Sequence, residues 1–113
     1  MKTVVIIVQE DLERKALTNL FEKWHRKLNV LSAVNEESAA DIMAQNQVDL
    51  VIIELSVHNP DTFDNFSTLT HTFPYVPCIA ISPNAQNASQ ESLKRGASHW
   101  LGKPIDPAVL LRL

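Results

Sequence analysis

The chain is short of the residues on which several kinds of binding site depend. Of its 113 residues only two are glycine, Gly96 and Gly102, and neither follows the first apolar run. Loops that cradle phosphate or a dinucleotide need several glycines there, because backbone N–H groups must approach the phosphate closely. Gln9, Glu10 and Asp11 stand at that place instead, and the two carboxylates would repel phosphate. The sequence therefore argues against nucleotide binding of the usual α/β kind.

Cysteine is almost absent as well. Cys78 is the single cysteine, so no internal disulfide can form, which is typical of a cytoplasmic protein. It lies inside an apolar run, and we expect an inert core thiol. The four histidines form no HExxH pattern and have no second cysteine to join them, so a zinc site is not predicted.

A net positive charge and long apolar runs are also lacking. The net charge is -3, which argues against nucleic-acid binding by this domain. No apolar run reaches the ~18 residues of a membrane span, and we expect neither a membrane segment nor a signal peptide. The 45% of hydrophobic residues is enough for one domain, residues 1–113, with an ordinary core.

Five apolar runs have the length of β-strands, and Val and Ile dominate three of them. Continuous rather than alternating apolarity indicates strands that are buried on both faces, as in a parallel sheet. Helical segments separate the runs, so the sequence predicts a doubly wound α/β fold with five parallel strands. The predicted strands are Val4–Val8, Val30–Val34, Val48–Ile53, Val76–Ile81 and His99–Leu101.

The predicted helices cover about 11–27, 36–46, 62–72 and 86–95, and a fifth begins at Asp106. Asp11 and Asn35 are expected to cap the first two, and Gly96 to end the fourth. The first is expected to bury one face. That face comprises Ala16, Leu20, Trp24 and Leu28. The last helix is short, so we expect a longer protein of which this is the N-terminal part.

Polar side chains stand where these strands end. In a doubly wound sheet functional groups collect at the carboxyl ends of the strands, so we expect these side chains to meet. They are Gln9, Glu10, Glu54, Ser82 and Lys103.

Four segments together resemble the receiver domain of two-component response regulators, a flavodoxin-like fold of the chemotaxis type. The resemblance covers essentially the whole chain. The matching segments are Val5–Asp11, Asp49–Leu55, Val76–Ser82 and Gly96–Asp106, of which the last is the most specific.

The resemblance implies a particular chemistry. In the family an aspartate at the end of the third strand takes a phosphoryl group with the help of a divalent cation held by an acidic pair. A lysine and a hydroxyl then bind the phosphoryl oxygens, and an aromatic residue reports the change. The corresponding residues here are Glu54 for the aspartate, Gln9, Glu10 and Asp11 for the acidic pocket, and Lys103, Ser82 and Trp100 for the rest.

The chain departs from this pattern at several of the residues to which the family assigns the phosphoryl-transfer chemistry. Glu54 replaces the aspartate, Gln9 replaces one acidic residue, and Pro83 removes a backbone N–H after Ser82. His58 stands where a proline commonly follows the phosphorylation site in the family. We therefore expect an atypical receiver that is not phosphorylated on an aspartate, is not an enzyme and binds magnesium weakly or not at all.

Several further expectations follow from the resemblance. Glu54 and Lys103 should form an ion pair, and the Lys103–Pro104 bond should be cis. The domain should act through a protein partner or an attached output domain, with self-association through the helix 4–strand 5–helix 5 face around Leu93, Trp100 and Leu110. Two alternatives stay open: a receiver that does accept phosphate, and a domain that binds a small ligand or metal at the strand ends.

Overall fold

The computed structural model describes residues 2–24, 27–56, 59, 61–83, 87–103, 106 and 109. Strands and helices alternate along the chain. The strands are β1 (Lys2–Ile7), β2 (Leu28–Ala33), β3 (Leu50–Glu54), β4 (Cys78–Pro83) and β5 (His99–Lys103). The helices are α1 (Asp11–Trp24), α2 (Glu36–Gln45), α3 (Thr62–Thr72) and α4 (Ala88–Lys94).

The five strands form one sheet in the order β2-β1-β3-β4-β5. Every neighbouring pair is parallel. This confirms the predicted fold class. Because all strands point the same way, the residues that follow β1, β3, β4 and β5 gather at one edge of the sheet.

Two apolar clusters lie on opposite faces of the sheet, because successive strand residues point to opposite sides. Val4, Ile6 and Val8 of the first strand region pack with Phe21 of α1. Val5 and Ile7 pack on the other side with residues of α2 and α3. Burial on both faces explains why the strands read as continuous apolar runs.

The boundaries differ from the sequence prediction by about two residues at several ends. β2 begins at Leu28 rather than Val30, β3 at Leu50 rather than Val48, and β4 at Cys78 rather than Val76. Val48 and Val76 extend the apolar runs without belonging to the strands. β2 starts early because Leu28 and Asn29 pair with Lys2 and Thr3 of β1. The bounds of α3 agree with the prediction.

The predicted buried face of α1 was partly wrong. Ala16 is exposed, and Leu28 belongs to β2 because α1 ends at Trp24. The side chains that pack on the sheet are Leu17, Leu20 and Phe21, which lie three and four residues apart on one helical face.

The expected helix ends are confirmed for α2 and α4. The side chain of Asn35 accepts a hydrogen bond from the Ser38 N–H at 2.8 Å. Gly96 follows α4 with a φ of 116°, a conformation that favours glycine. Of the fifth helix, the Val109 N–H donates to the Asp106 carbonyl at 3.1 Å, and the remainder lies outside the described residues. Within the part of the chain that is described, no helix is long and apolar enough to cross a membrane.

Candidate functional site at the carboxyl edge of the sheet

A cleft of about 480 Å³ opens at the carboxyl edge of the sheet. Three of the predicted site residues line it, namely Gln9 and Glu10 after β1 and Glu54 at the end of β3. The other walls carry amide and hydroxyl side chains, among them Asn35, Ser56, Asn59, Thr62 and Asn65. The strand ends therefore bring Gln9, Glu10 and Glu54 to one cleft, whereas Ser82 and Lys103 do not line it.

Glu10 is the residue that caps α1. Its carboxylate accepts hydrogen bonds from the backbone N–H groups of Leu12 at 3.1 Å and of Glu13 at 2.7 Å. Such bonds satisfy helix N–H groups that have no partner within the helix. The prediction that Asp11 provides this cap was wrong, because Asp11 is already the first helical residue.

Asp11 forms an ion pair with Arg14 instead. The Arg14 guanidinium also donates to the carbonyl oxygens of Val8 at 2.9 Å and of Gln9 at 3.3 Å. Its side chain is only 16% exposed. A cation that belongs to the chain thus holds the loop between β1 and α1 and balances one of its carboxylates.

Lys103 lies between two carboxylates. Its ammonium forms an ion pair with Glu54, which confirms the predicted pair. It also donates to both carboxylate oxygens of Glu13, at 2.9 and 3.2 Å. Glu54 and Lys103 are 16% and 27% exposed, and Glu13 is 45% exposed. One ammonium therefore joins the end of β5 to the end of β3 and to the first turn of α1.

The pKa values of Glu54 and Glu13 are shifted in opposite directions. Burial raises the pKa of Glu54 above its ordinary value, and a hydrogen bond with Glu13 raises it further. The same bond with Glu54, followed by those with Lys103, lowers the pKa of Glu13. Burial alone would lower the pKa of Lys103, but its hydrogen bonds to Glu54 and Glu13 outweigh burial and raise it. A proton added to this cluster therefore goes to Glu54.

Ser82 forms its hydrogen bonds with Trp100 and Pro83 and not with Lys103. Its side chain is fully buried, and its hydroxyl accepts a hydrogen bond from the Trp100 indole N–H at 2.9 Å. The same hydroxyl donates to the Pro83 carbonyl at 3.1 Å. Of the predicted phosphate-site residues, Lys103 thus contacts Glu54, whereas Ser82 contacts Trp100.

The donor set does not suit the divalent cation that the family resemblance implies. Both oxygens of Glu10 are bonded to helix N–H groups, Gln9 offers a neutral oxygen, and Glu54 is paired with Lys103. Among the described residues, no three or more His, Cys, Asp or Glu side chains form a group that could hold a metal ion. Magnesium requires oxygen ligands in near-octahedral geometry, and the described residues at the strand ends do not offer such a set.

Sequence reasoning missed Glu13 and Arg14. A signal for Glu13 was available, since a glutamate three residues after a helix cap lies in the first turn, close to the strand ends. Its contact with Lys103, however, spans 90 residues. His58 and Pro104, and with Pro104 the predicted cis bond, lie outside the described residues.

Comparison with known proteins identifies a family to which the chain is similar. The family model described as the response regulator receiver domain matches residues 4–113, nearly the whole chain. A search of curated proteins found no match.

Solved structures of similar fold are many. A LuxR family DNA-binding response regulator from Silicibacter pomeroyi is 26% identical, with a TM-score of 0.83 over 99% of this chain and 87% of that chain. The chemotaxis protein CheY4 of Vibrio cholerae is 19% identical, with a TM-score of 0.84 over 99% and 94%. The receiver domain of a DNA-binding response regulator (merR) from Colwellia psychrerythraea 34H is 19% identical, with a TM-score of 0.87 over 99% and 94%. The last two show the shared fold alone.

Proposed function

This chain belongs to the response regulator receiver domain family, and we propose that it is a receiver whose strand-end site works without phosphorylation of an aspartate. In this proposal the domain has no catalytic activity and regulates through contacts with a protein partner or an attached output domain. It is a signalling module whose site is held in one state by its own side chains.

The observation that carries the proposal is the position of Lys103 between Glu54 and Glu13. The family resemblance gives this lysine the task of binding a transferred phosphoryl group. Here two carboxylates already neutralise its ammonium. An incoming phosphoryl group would have to displace them, and it would meet negative charge from both, since like charges at short range repel.

The identity of the acceptor residue supports the same conclusion. Glutamate has one methylene more than aspartate, which moves the carboxylate by roughly one C–C bond, ~1.5 Å. Phosphoryl transfer depends chiefly on positioning and on electrostatic stabilisation of the transferred group. The Ser82 hydroxyl is bonded to Trp100 and to the Pro83 carbonyl, so it is not free to assist.

The test is incubation with acetyl phosphate and magnesium, followed by intact-mass measurement of the natural chain and four variants, one of which is Glu54→Gln. We expect no phosphoryl gain for the natural chain and at most a small gain for Glu54→Asp. Combining Glu54→Asp with Glu13→Gln should increase the gain, because Lys103 then loses one internal partner. Glu22→Gln, an exposed glutamate on the same helix, is the matched control for Glu13→Gln when both are placed in the Glu54→Asp background.

Two results would count against the proposal. A stoichiometric phosphoryl group on the unmodified chain, absent in Glu54→Gln, would show that Glu54 is a working acceptor and that the domain is a phosphorylation-competent receiver. A gain in the Glu54→Asp background that is equal with Glu13→Gln and Glu22→Gln would show that Glu13 has no part in closing the site.

A further inference from the structure

Trp100 and Gly102 of β5 share one face of the sheet with Ala80 and Ser82 of β4. The register pairs Trp100 with Ala80 and Gly102 with Ser82. Residues two apart on a strand point to the same side, and paired residues of parallel strands do as well. The indole of Trp100 therefore has Gly102 directly beside it along the strand.

The indole lies over the backbone of Gly102. A Cβ atom on this residue would stand 2.9 Å from Cη2 of the Trp100 ring and 3.5 Å from Cζ3. The first distance is below any normal carbon–carbon contact. The ring reaches this position with its N–H directed at the Ser82 hydroxyl, 2.9 Å away. A side chain on residue 102 would occupy the space that the ring now fills.

From this geometry we propose that Gly102 is a positioning residue: the missing side chain lets Trp100 close over β5 and bind Ser82, which commits the Ser82 hydroxyl inside the sheet. Trp100, Ser82 and Gly102 together form a latch. The latch is independent of whether Glu54 accepts a phosphoryl group, because none of its contacts involves Glu54, Glu13 or Lys103.

The hydrogen bonds explain why the latch holds. A serine hydroxyl has one proton, and that of Ser82 goes to the Pro83 carbonyl at 3.1 Å. Its oxygen is the acceptor for the indole N–H. Turning the hydroxyl toward the strand-end cleft would break both bonds and leave the indole N–H of a half-buried ring without its partner, which is unfavourable.

The latch also fixes what the domain presents to a partner. The Trp100 ring is partly exposed and packs against the core cluster that residues of α2 and α3 share with the sheet. The latch holds the ring in the position that its bond to Ser82 sets. A partner that contacts the exposed part of the ring would meet it in that position.

The Trp100 indole N–H can be followed by nuclear magnetic resonance on ¹⁵N-labelled protein. The signal is assigned by its loss in Trp100→Phe. In the natural chain we expect it to exchange slowly with solvent. Ser82→Ala removes the acceptor and should speed exchange by roughly two- to tenfold, the effect of one hydrogen bond.

Gly102→Ala should shift the same signal and speed its exchange to a similar degree. The atom that an added Cβ would meet is the far end of a side chain, so the ring should move while the strand stays folded. Leu101→Val is the control, because Leu101 packs in the cluster on the opposite face of the sheet and should leave the Trp100 signal in place.

An unchanged Trp100 signal in folded Gly102→Ala would overturn the proposal, because the ring would then reach Ser82 with a side chain beneath it. If Gly102→Ala does not fold, the double variant Gly102→Ala with Trp100→Phe decides. Its shorter ring removes the contact, so recovery of folding supports the latch. Failure of the double variant to fold would show that the strand needs glycine for another reason and would reject the latch.

Discussion

Glu54 and Glu13 share one ammonium, and each changes the other's affinity for protons. Glu54 is mostly buried and its pKa is raised, first by burial and then by Glu13. Glu13 is more exposed and its pKa is lowered, first by its bond with Glu54. An ion pair of this kind adds little net stability, because the loss of hydration offsets the attraction. Its effect is to fix positions.

The raised pKa of Glu54 makes one contribution to stability fall as the pH rises. The folded state holds a proton on Glu54 more tightly than the unfolded chain does, so this contribution is present below the ordinary glutamate pKa and is lost as the pH rises through the folded pKa. Glu13 behaves in the opposite way, and its contribution is lost as the pH falls through its lowered pKa.

Glu54→Gln keeps the side chain neutral at every pH. We therefore expect the free energy of unfolding of this variant, relative to the natural chain, to increase from about pH 4 to about pH 7. Urea denaturation across this range measures it, with Glu22→Gln, the same substitution at an exposed position, as the matched control. A difference between Glu54→Gln and the natural chain that does not change with pH would contradict the assigned titration.

Cys78 is expected to be unreactive in the folded domain. Its side chain is 2% exposed in β4, and burial raises the pKa of its thiol to about 11. Because the thiolate is the reactive form, a disulfide reagent at neutral pH should modify it only when the sheet opens. Labelling should thus become fast in denaturant. Rapid labelling of the folded protein would show that β4 is more accessible than the structure indicates.

At the scale of the elements, polar side chains fix the helix ends. Glu10 caps α1 and Asn35 caps α2. Arg95, just after α4, pairs with Glu91 of its own helix and with Asp64 of α3, each at 2.8 Å. The Arg95 carbonyl also accepts a bond from the Thr70 hydroxyl. These bonds tie the C-terminal end of α4 to α3.

Asn35→Ala should lower the free energy of unfolding by about 1 kcal/mol, within the roughly 0.5–2 kcal/mol usual for a lost N-cap. The Ser38 N–H then loses its acceptor. Thermal and urea unfolding measure the change. Gln45→Ala, an exposed position at the other end of α2, should have little effect, and an equally small effect for Asn35→Ala would show that the cap is dispensable.

Much of this arrangement could be predicted from the sequence. The strands are runs rich in Val and Ile that are buried on both faces, and this pattern alone gives the parallel sheet. Glu54 and Lys103 could be paired because each ends a strand. Glu13 could not be paired, because its direction depends on the rotation of α1, which the predicted buried face had misplaced at Ala16. The role of Gly102 was also hidden, because it depends on the conformation of the Trp100 side chain.

At the scale of the whole molecule, the sheet order determines which distant residues meet. β5 is separated from β1 by β3 and β4. Lys103 nevertheless contacts Glu13, which lies beyond β1 in α1. One lysine therefore ties three separate elements together across the carboxyl edge. A cytoplasmic location, an output domain beyond residue 113 and a partner protein stay predictions.

Self-association through the α4–β5 side also stays a prediction, and part of that surface, including Leu110, lies outside the described residues. Leu93 is 49% exposed, and we expect Leu93→Asp to weaken any dimer seen by analytical ultracentrifugation, because it places a charge in an apolar contact. Tyr75→Asp is the control, since Tyr75 is 95% exposed in the loop before β4. A dimer that Tyr75→Asp disrupts and Leu93→Asp does not would place the contact elsewhere.

Occupation of Lys103 by Glu54 and Glu13 can be measured from the Lys103 side-chain ammonium signal in ¹⁵N nuclear magnetic resonance. The two ion pairs should slow exchange of the ammonium protons, and the signal should keep its position when acetyl phosphate and magnesium are added. In the Glu13→Gln/Glu54→Gln variant it should broaden, because both partners lose their charge. A signal that is as broad in the natural chain as in this variant would show that the two glutamates do not hold Lys103. So would a signal that moves on addition of the phosphodonor as the protein gains the mass of a phosphoryl group.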